Sequence, residues 1–492
     1  MILEENMKEI AVSVIMPVLN GMPYFKDALD SIRNQSMESI EIIVVDAGSI
    51  DGTIEYVNQC MKEDCRVRLI QSDKKSMGHQ YNLGIENAKG QYVGFCESDD
   101  YLDSDAFSVL YKIAKGHHEP EAVKADFYMF FDDSKHHRIS MKYGVLPRDK
   151  KNEYDRELNL AVEPEIFFRD INMWNGIFLK SFLDEYKIRL NETKGAAFQD
   201  AGFVQQVHML ADRQIYTEEA FYHYRRDNKD SSVYKKGKSL YNVWELQFIL
   251  QFLEKNPRIK SRYLGIALER MFGAFLDTYK MERYWNERLD FEKEVENFRL
   301  ELREWYEGLS YSFKRLIKNE YFFLIFLESI DEFRKAVDFS YLKRIQADFS
   351  LYQYIQDSKK IVIFGAGEQG QAIAAALLIN GYEGDIRFAD NNKNEWRKVK
   401  MGISVLSVDD AVKWNKSSIF LLSECVYKYT MHAQLCELGV EISQIVNVPG
   451  LSPHQSMEVR WDKSKECGFD KKIGRLNEGI DNDVFAGKFR RE

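Results

Sequence analysis

The chain has 492 residues, 45% of them apolar and 30% charged, with a formal net charge of −10. That length exceeds what one core organises, so two to four domains are expected, and the apolar content excludes a disordered chain. The acidic excess argues against nucleic acid as a partner, which needs concentrated Lys and Arg to displace counterions; an anionic substrate would need local help such as a metal ion.

The six cysteines, Cys60, Cys65, Cys96, Cys425, Cys436 and Cys467, form no CxxC pair and no zinc spacing. The N-terminus carries no secretory pattern, so a reducing cytoplasm is the expected compartment. The longest aromatic and aliphatic run, residues 321–327, is far shorter than the roughly 20 residues of a membrane-spanning helix.

In chain order, residues 12–16, 41–45 and 91–96 are β-branched or aromatic runs that end in polar or glycine-containing turns, and they read as strands. Helical patterns at 24–34, 53–61 and 78–88 alternate with them, as in βαβ units. The first part is therefore α/β with a mainly parallel sheet. From about 240 to 350 long amphipathic stretches, nearly free of glycine and with Pro257 the one proline, predict a helical segment. At Lys360 the pattern returns to a strand, a glycine-rich turn, a helix and the strand Asp385–Ala389, predicting a second small α/β domain. The expected division is 1–238, 239–350, 351–450, and a polar tail at 451–492.

Ligands of open α/β sheets bind beyond the carboxyl ends of the strands. Here those ends read Pro17-Val18-Leu19-Asn20, then Asp46-Ala47-Gly48-Ser49-Ile50-Asp51-Gly52-Thr53, then Glu97-Ser98-Asp99-Asp100. Three carboxylates within four residues repel one another, and Mn²⁺ or Mg²⁺ with a diphosphate would neutralise them. The bland alternative makes Asp99 and Asp100 a solvated turn capping a helix near Ser104. Asp46 is placed to accept hydrogen bonds from a base, with Gly48 allowing a close turn; Asp51 reads as a helix cap.

These motifs, together with the Gly78 to Gly84 stretch carrying Asn82, resemble glycosyltransferase family 2 with its GT-A fold. The resemblance implies that Pro17, Val18 and Asp46 hold the nucleotide base, that Asp99 ligates the metal, and that Glu97 faces the ribose or metal side. Glu97 departs from the family, which more often has Asp there. Asn20, Gly78, Asn82, Ser98 and Asp100 join the expected donor site. Gln199-Asp200 matches a later family pair, which makes Asp200 the candidate base of an inverting transfer; on local sequence alone Asp200 reads as a helix cap. Trp174 and Asn175 resemble the acceptor side, with a core tryptophan as the alternative. The stretch 222–228, followed by Ser231 and Ser232, resembles the end of the catalytic domain. There His223 is a candidate metal ligand and Arg225 or Arg226 a neutraliser of diphosphate, against a purely structural histidine.

In the middle, the aromatic stripes are expected to form core against the first domain or a partner protomer in a homo-oligomer. Lys314, Arg315 and Lys318 ahead of residues 321–327 raise peripheral contact with an anionic bilayer. Gly365, Gly367 and Gly370 open a helix after a strand, with Asp390 about 20 residues on, the setting of a dinucleotide fingerprint and a second candidate nucleotide site. This part resembles the Rossmann-like domains attached to bacterial sugar transferases and sugar-modifying acyltransferases. The leading expectation is an inverting transferase that moves a sugar from a nucleotide-diphosphate donor, UDP-linked, to a glycan or lipid-linked glycan of a bacterial surface polysaccharide. The alternatives are an NAD-dependent sugar oxidoreductase working through the C-terminal domain and a non-catalytic nucleotide-sugar-binding scaffold.

Overall fold

The computed structural model describes residues 9–132, 138–146, 148–159, 166, 170–196, 198–228, 231, 239–280, 292–308, 320–337, 358–379, 382–414, 418–423 and 428–448. Lys314, Arg315, Lys318, Ser232, Cys425, Cys467 and the tail at 451–492 lie outside them. The described residues of 1–129 and 142–323 form one compact unit, and those of 130–141 and 324–492 form another.

The first sheet has ten strands. Its strands are β1 (Val12–Val18), β2 (Ile40–Asp46), β3 (Val67–Gln71), β4 (Tyr92–Phe95), β5 (Tyr101–Leu102), β6 (Ala122–Asp132), β7 (Arg138–Tyr143), β8 (Glu157–Leu158), β9 (Gly176–Leu179) and β10 (Gln214–Arg225). The order is β3-β2-β1-β4-β9-β6-β10-β5, with β8 on β10 and β7 on β6. The first four strands are parallel, and β9 runs antiparallel to β4. All seven residues of β1 and of β2 are buried, because helices cover both faces of a parallel sheet.

The connecting helices are α1 (Tyr24–Arg33), α2 (Thr53–Glu63), α3 (Met77–Asn87), α4 (Ala106–Gly116), α5 (Lys180–Glu185) and α6 (Gln199–Leu210). Helix α1 buries Phe25, Ala28, Leu29 and Ile32, the 3–4 spacing of one face. Ser76 caps α3 by accepting from the His79 amide at 3.2 Å. Long helices follow as the sequence predicts: α7 (Ser239–Lys255), α8 (Pro257–Lys280), α9 (Glu292–Glu307), and a further helix at Glu320–Glu328. Among the described residues no helix is long and apolar enough to cross a membrane.

One aromatic layer sets up the site. Phe95 at the end of β4 meets Tyr81 of α3 edge-on at 5.2 Å and Phe203 of α6 at 5.6 Å, and Phe203 meets Phe178 of β9 at 5.2 Å. Edge-to-face rings are the favoured packing of aromatic quadrupoles. The layer fixes the base of α6 against the strand that leads into Glu97.

The second unit carries β11 (Lys360–Phe364), β12 (Asp385–Ala389), β13 (Val399–Lys400), β14 (Ile403–Leu406), β15 (Ile419–Ser423) and β16 (Ile445–Val448) in the order β13-β14-β12-β11-β15-β16. Its helices are α10 (Glu368–Ile379), α11 (Val408–Trp414) and α12 (Lys428–Glu437). Ile361 and Ile363 enter one core cluster while Val362 and Phe364 enter the other, so both faces of the sheet are covered. The predicted strand at 385–389 and the helix after the glycine-rich turn both form.

Candidate active site

Strand β4 delivers Glu97, Ser98, Asp99 and Asp100 beyond its carboxyl end. One carboxylate oxygen from each of Glu97, Asp99 and Asp100 lies within 4.8 Å of the others, forming the one such acidic group among the described residues. Asp100 is buried and tightly held. Its Oδ1 accepts from the Arg225 amide at 2.7 Å and its Oδ2 from the Tyr222 hydroxyl at 2.6 Å, while that hydroxyl also accepts from the Glu97 amide at 3.0 Å. The Asn228 amide donates to Asp99 Oδ2 at 2.7 Å, and the Arg225 Nε to the Asp99 carbonyl at 3.1 Å. The end of β10 therefore clasps the acidic turn, and the Glu97 carboxyl is left facing the group.

Crowding has an electrostatic consequence. Burial pushes the Asp100 and Glu97 carboxyls well above the ordinary range, and their acidic neighbours push them further. Burial also raises Asp99, with Asn228 pulling it back. Three carboxyls that resist ionising together, set at a strand end with oxygen ligands only, fit a hard divalent cation, which relieves the crowding by holding the charged forms.

Asp200 stands in the first turn of α6. Burial pushes its carboxyl up to about 6, opposed by the Ala201 amide and by the charges of Arg270 and Lys124. Asp200 in turn adds to the rise of Glu97, so strand end and helix end share one electrostatic neighbourhood. Helix α7 packs beside this turn, since a Cβ on Gly202 would stand 2.3 Å from Glu245 Oε2. Glu245 is fully buried, and burial pushes it well above the usual range, with the Asn191 side chain pulling the other way.

The first two strand ends are locked together. Asp46 is fully buried and spends its carboxylate on the Gly48 amide at 2.7 Å and the Ser49 amide at 3.0 Å. Asn20 N donates to Ser49 Oγ at 2.7 Å, and the Ile50 amide returns a bond to Asn20 Oδ1 at 2.9 Å. Asp51 takes the Met22 amide and the Thr53 amide and hydroxyl, so it fixes the loop as well as the start of α2. Gln80 of α3 reaches the carbonyls of Val18 and Val45, which seats Pro17 and Val18 in the core at the mouth of this loop.

Several expected contact residues turn out to hold other residues. Trp174 is only 3% exposed, with one face stacked on Tyr222 at 4.3 Å and its edge toward Phe127 at 4.8 Å, so it offers no face to a sugar and instead braces the tyrosine that holds Asp100. Asn175 is 2% exposed and bonds the Ala125 carbonyl. The Asn82 side chain bonds Leu190 in both directions and also Glu192, and Gly78 lies where a Cβ would meet the Asn191 carbonyl at 1.9 Å, so both join α3 to the 190–192 segment. His223 lies outside the acidic group: its ring stacks on Tyr101 at 4.2 Å and Tyr128 at 4.9 Å, with Nε2 on Asp103 at 3.0 Å. Neighbours on a strand face opposite ways, and Tyr222 took the inward place. Arg225 remains beside the acids, its guanidinium 4.3 Å over the Tyr24 ring and 3.2 Å from Asp227.

Tyr222, Tyr81, Asn228 and Lys124 were not singled out for a role from sequence. Lys124 left a signal, being a lone lysine in an apolar strand. It is fully buried, with Nζ 2.6 Å from Asp170 Oδ1 and 2.5 Å from the Asn172 carbonyl, and it ties β6 to the stretch leading to Trp174.

In the second unit the glycine-rich loop is bound by its own chain. Asp390 Oδ2 accepts from the Ala366 amide at 2.8 Å and Oδ1 from the Asn392 amide at 2.8 Å, and Lys400 Nζ donates to the Ala366 carbonyl at 2.9 Å. Gly370 packs so closely that a Cβ would stand 1.8 Å from the Gly365 carbonyl. The Asp390 carboxylate, a candidate of the second nucleotide site, is engaged by loop amides.

The sheet is mixed rather than mainly parallel as the sequence predicts, being parallel through β3-β2-β1-β4 and antiparallel where β9 joins β4 and β6; an acidic group beyond β4 and a raised carboxyl beside it are the layout of a sugar-nucleotide transferase. Residues 13–174 match the family model described as Glycosyl transferase family 2. The chain is 28% identical over 263 residues to EpsH of Bacillus subtilis (strain 168), covering 52% of this chain and 72% of that one. It is 28% identical over 280 residues to the GalNAc(5)-diNAcBac-PP-undecaprenol beta-1,3-glucosyltransferase of Campylobacter jejuni, covering 56% and 82%. The crystal structure of S. aureus TarS 1-349 in complex with UDP-GlcNAc superposes with a TM-score of 0.55 at 18% identity over 68% of this chain and 92% of that one, a likeness of fold. Residues 13–174 carry a glycosyl transferase family 2 domain, and this chain is a glycosyltransferase.

Proposed function

We propose that the first unit is an inverting glycosyltransferase that moves a sugar from a UDP-linked donor to a hydroxyl of a glycan acceptor, lipid-linked in the growing polymer, in the making of a bacterial surface polysaccharide. The observation that carries this is the shared neighbourhood of the Glu97, Asp99 and Asp100 group and the Asp200 carboxyl. The UDP-GlcNAc of TarS and the undecaprenol-linked acceptor named for the Campylobacter relative support the donor and acceptor classes.

Asp99, with Glu97 and Asp100, would hold Mn²⁺ or Mg²⁺, which when bound supplies Lewis-acid neutralisation of the diphosphate. The 46–53 loop and the Pro17-Val18 turn form the wall for the base and ribose. Arg225 keeps a positive charge next to the acids. Asp200 accepts the acceptor hydroxyl proton as that oxygen bonds the anomeric carbon and the carbon–oxygen bond to the nucleotide breaks, giving inversion in one displacement. A carboxyl at about 6 is ionised at neutral pH yet basic enough to take the proton. An NAD-dependent oxidoreductase working through the second unit has less support, because Asp390 is already spent on the Ala366 loop.

The test is calorimetric titration with UDP, with and without Mn²⁺, on the parent, Asp99→Ala and Asp200→Asn. The reading expects Mn²⁺-dependent binding that disappears in Asp99→Ala and survives in Asp200→Asn, with donor turnover lost in both. Near-normal transfer by Asp200→Asn would remove Asp200 as the base, and UDP binding indifferent to Mn²⁺ would remove the cation.

A further inference from the structure

Two polar groups beside the acidic strand end are left without partners. The Tyr81 side chain is fully buried, and its hydroxyl bonds nothing among the described residues. Asp100 and Asp99 both take hydrogen bonds from β10 and the residues after it, whereas among the described residues the Glu97 carboxyl takes none. The Tyr81 ring lies edge-on to Phe95, two residues before Glu97, on the face where Phe203 brings up α6. Among the charges that burden this hydroxyl, Glu97 is the largest, ahead of Asp200 and Asp100. Leaving a buried hydroxyl without a partner is costly, and one kept beside an acidic cluster calls for a state in which it is used.

We propose that Tyr81 is the positioning residue for Glu97: its hydroxyl donates to the Glu97 carboxylate when that side chain turns to the bound cation. The inference rests on the cation reading above and adds what holds the longer acid in place. Glutamate has one more methylene than aspartate and another free rotamer, so a fixed donor is needed to make its reach specific. On β10, Tyr222 already does the same for Asp100, and Tyr81 supplies the matching donor from α3.

The experiment is a double-mutant cycle of Tyr81→Phe and Glu97→Asp, read by Mn²⁺ titration in the presence of UDP and by thermal melting of the metal-free protein. Tyr81→Phe keeps the ring and its packing, so it is expected to melt at the parent temperature or above while weakening Mn²⁺ at least about tenfold, the worth of one hydrogen bond to a charged group. In the Glu97→Asp background, where the carboxylate is withdrawn, the same change is expected to cost less than about threefold. Parent-like Mn²⁺ affinity in Tyr81→Phe, an equal loss in both backgrounds, or a lower melting temperature would each overturn the pairing. A parent that binds no Mn²⁺ with UDP removes the cation reading itself, and this inference with it.

Discussion

The Tyr222 hydroxyl and the Asp100 carboxylate lie 2.6 Å apart with both side chains buried, which links the last strand of the first unit to the acidic turn after β4. Removing that hydroxyl leaves a buried carboxylate oxygen and the Glu97 amide without their partner. Tyr222→Phe is expected to lose about 1–3 kcal/mol of stability in urea unfolding and to weaken cation-dependent UDP binding. A stable variant with unchanged binding would show that the Arg225 amide alone holds Asp100.

Asp200 sets a pH dependence. As the base it must be ionised, so the transfer rate is expected to fall about tenfold per unit as pH drops below about 6, and Asp200→Asn should abolish that limb together with the activity. The stability effect has the opposite sense. A folded value raised above the ordinary 3.8 means that folding favours the protonated carboxyl, so stability declines as pH rises from 3.8 to about 6 and is level beyond it. Asp200→Asn should therefore gain about 1 kcal/mol at pH 7.5, after allowance for partial exposure.

The buried Lys124 and Asp170 pair predicts a large loss on breaking one side. Asp170 also accepts from Tyr216 at 2.8 Å, and although burial pushes it up, Lys124 and then His208 hold it below the usual range. Lys124→Met is expected to cost about 3–5 kcal/mol by leaving an unpaired buried charge, and replacing Lys124 and Asp170 together by Met and Leu should recover much of it. The depressed Asp170 adds stability that is complete above about pH 4 and lost as pH falls through its folded value, so parent and Lys124→Met should converge in acid.

In the second unit Gly370 lies against the Gly365 carbonyl, where a Cβ would sit at 1.8 Å. Gly370→Ala is expected to destabilise that unit by more than about 2 kcal/mol in denaturant unfolding, despite the better helix propensity of alanine. The UDP and Mn²⁺ titration of the variant should match the parent if the donor site belongs to the first unit.

Periodicity and strand-end chemistry carried much of this protein. The runs at 12–16 and 41–45 and the helix patterns at 24–34 and 53–61 became β1, β2, α1 and α2 within a few residues, because a fully buried parallel strand and a one-faced helix leave local patterns. The acidic quartet was legible as well, since consecutive residues at a strand end need no tertiary information to be neighbours.

What a side chain faces was decided by the tertiary structure alone. His223 and Tyr222 are adjacent in sequence, and only the pairing of β10 with β5 determines that the tyrosine reaches Asp100 while the histidine stacks between Tyr101 and Tyr128. Trp174 had the composition of a sugar platform, and Asn82 that of a donor contact, until packing spent both on other residues. Tyr81 and Asp200 lie 119 positions apart, and nothing local to either foretells that Glu97 raises the one and is raised by the other. Sequence by itself determined the elements and the acids at their ends, because those depend on neighbours along the chain; which groups meet across the site, and which stay unpaired, depended on the aromatic layer and on the strand order that the chain reaches only when folded.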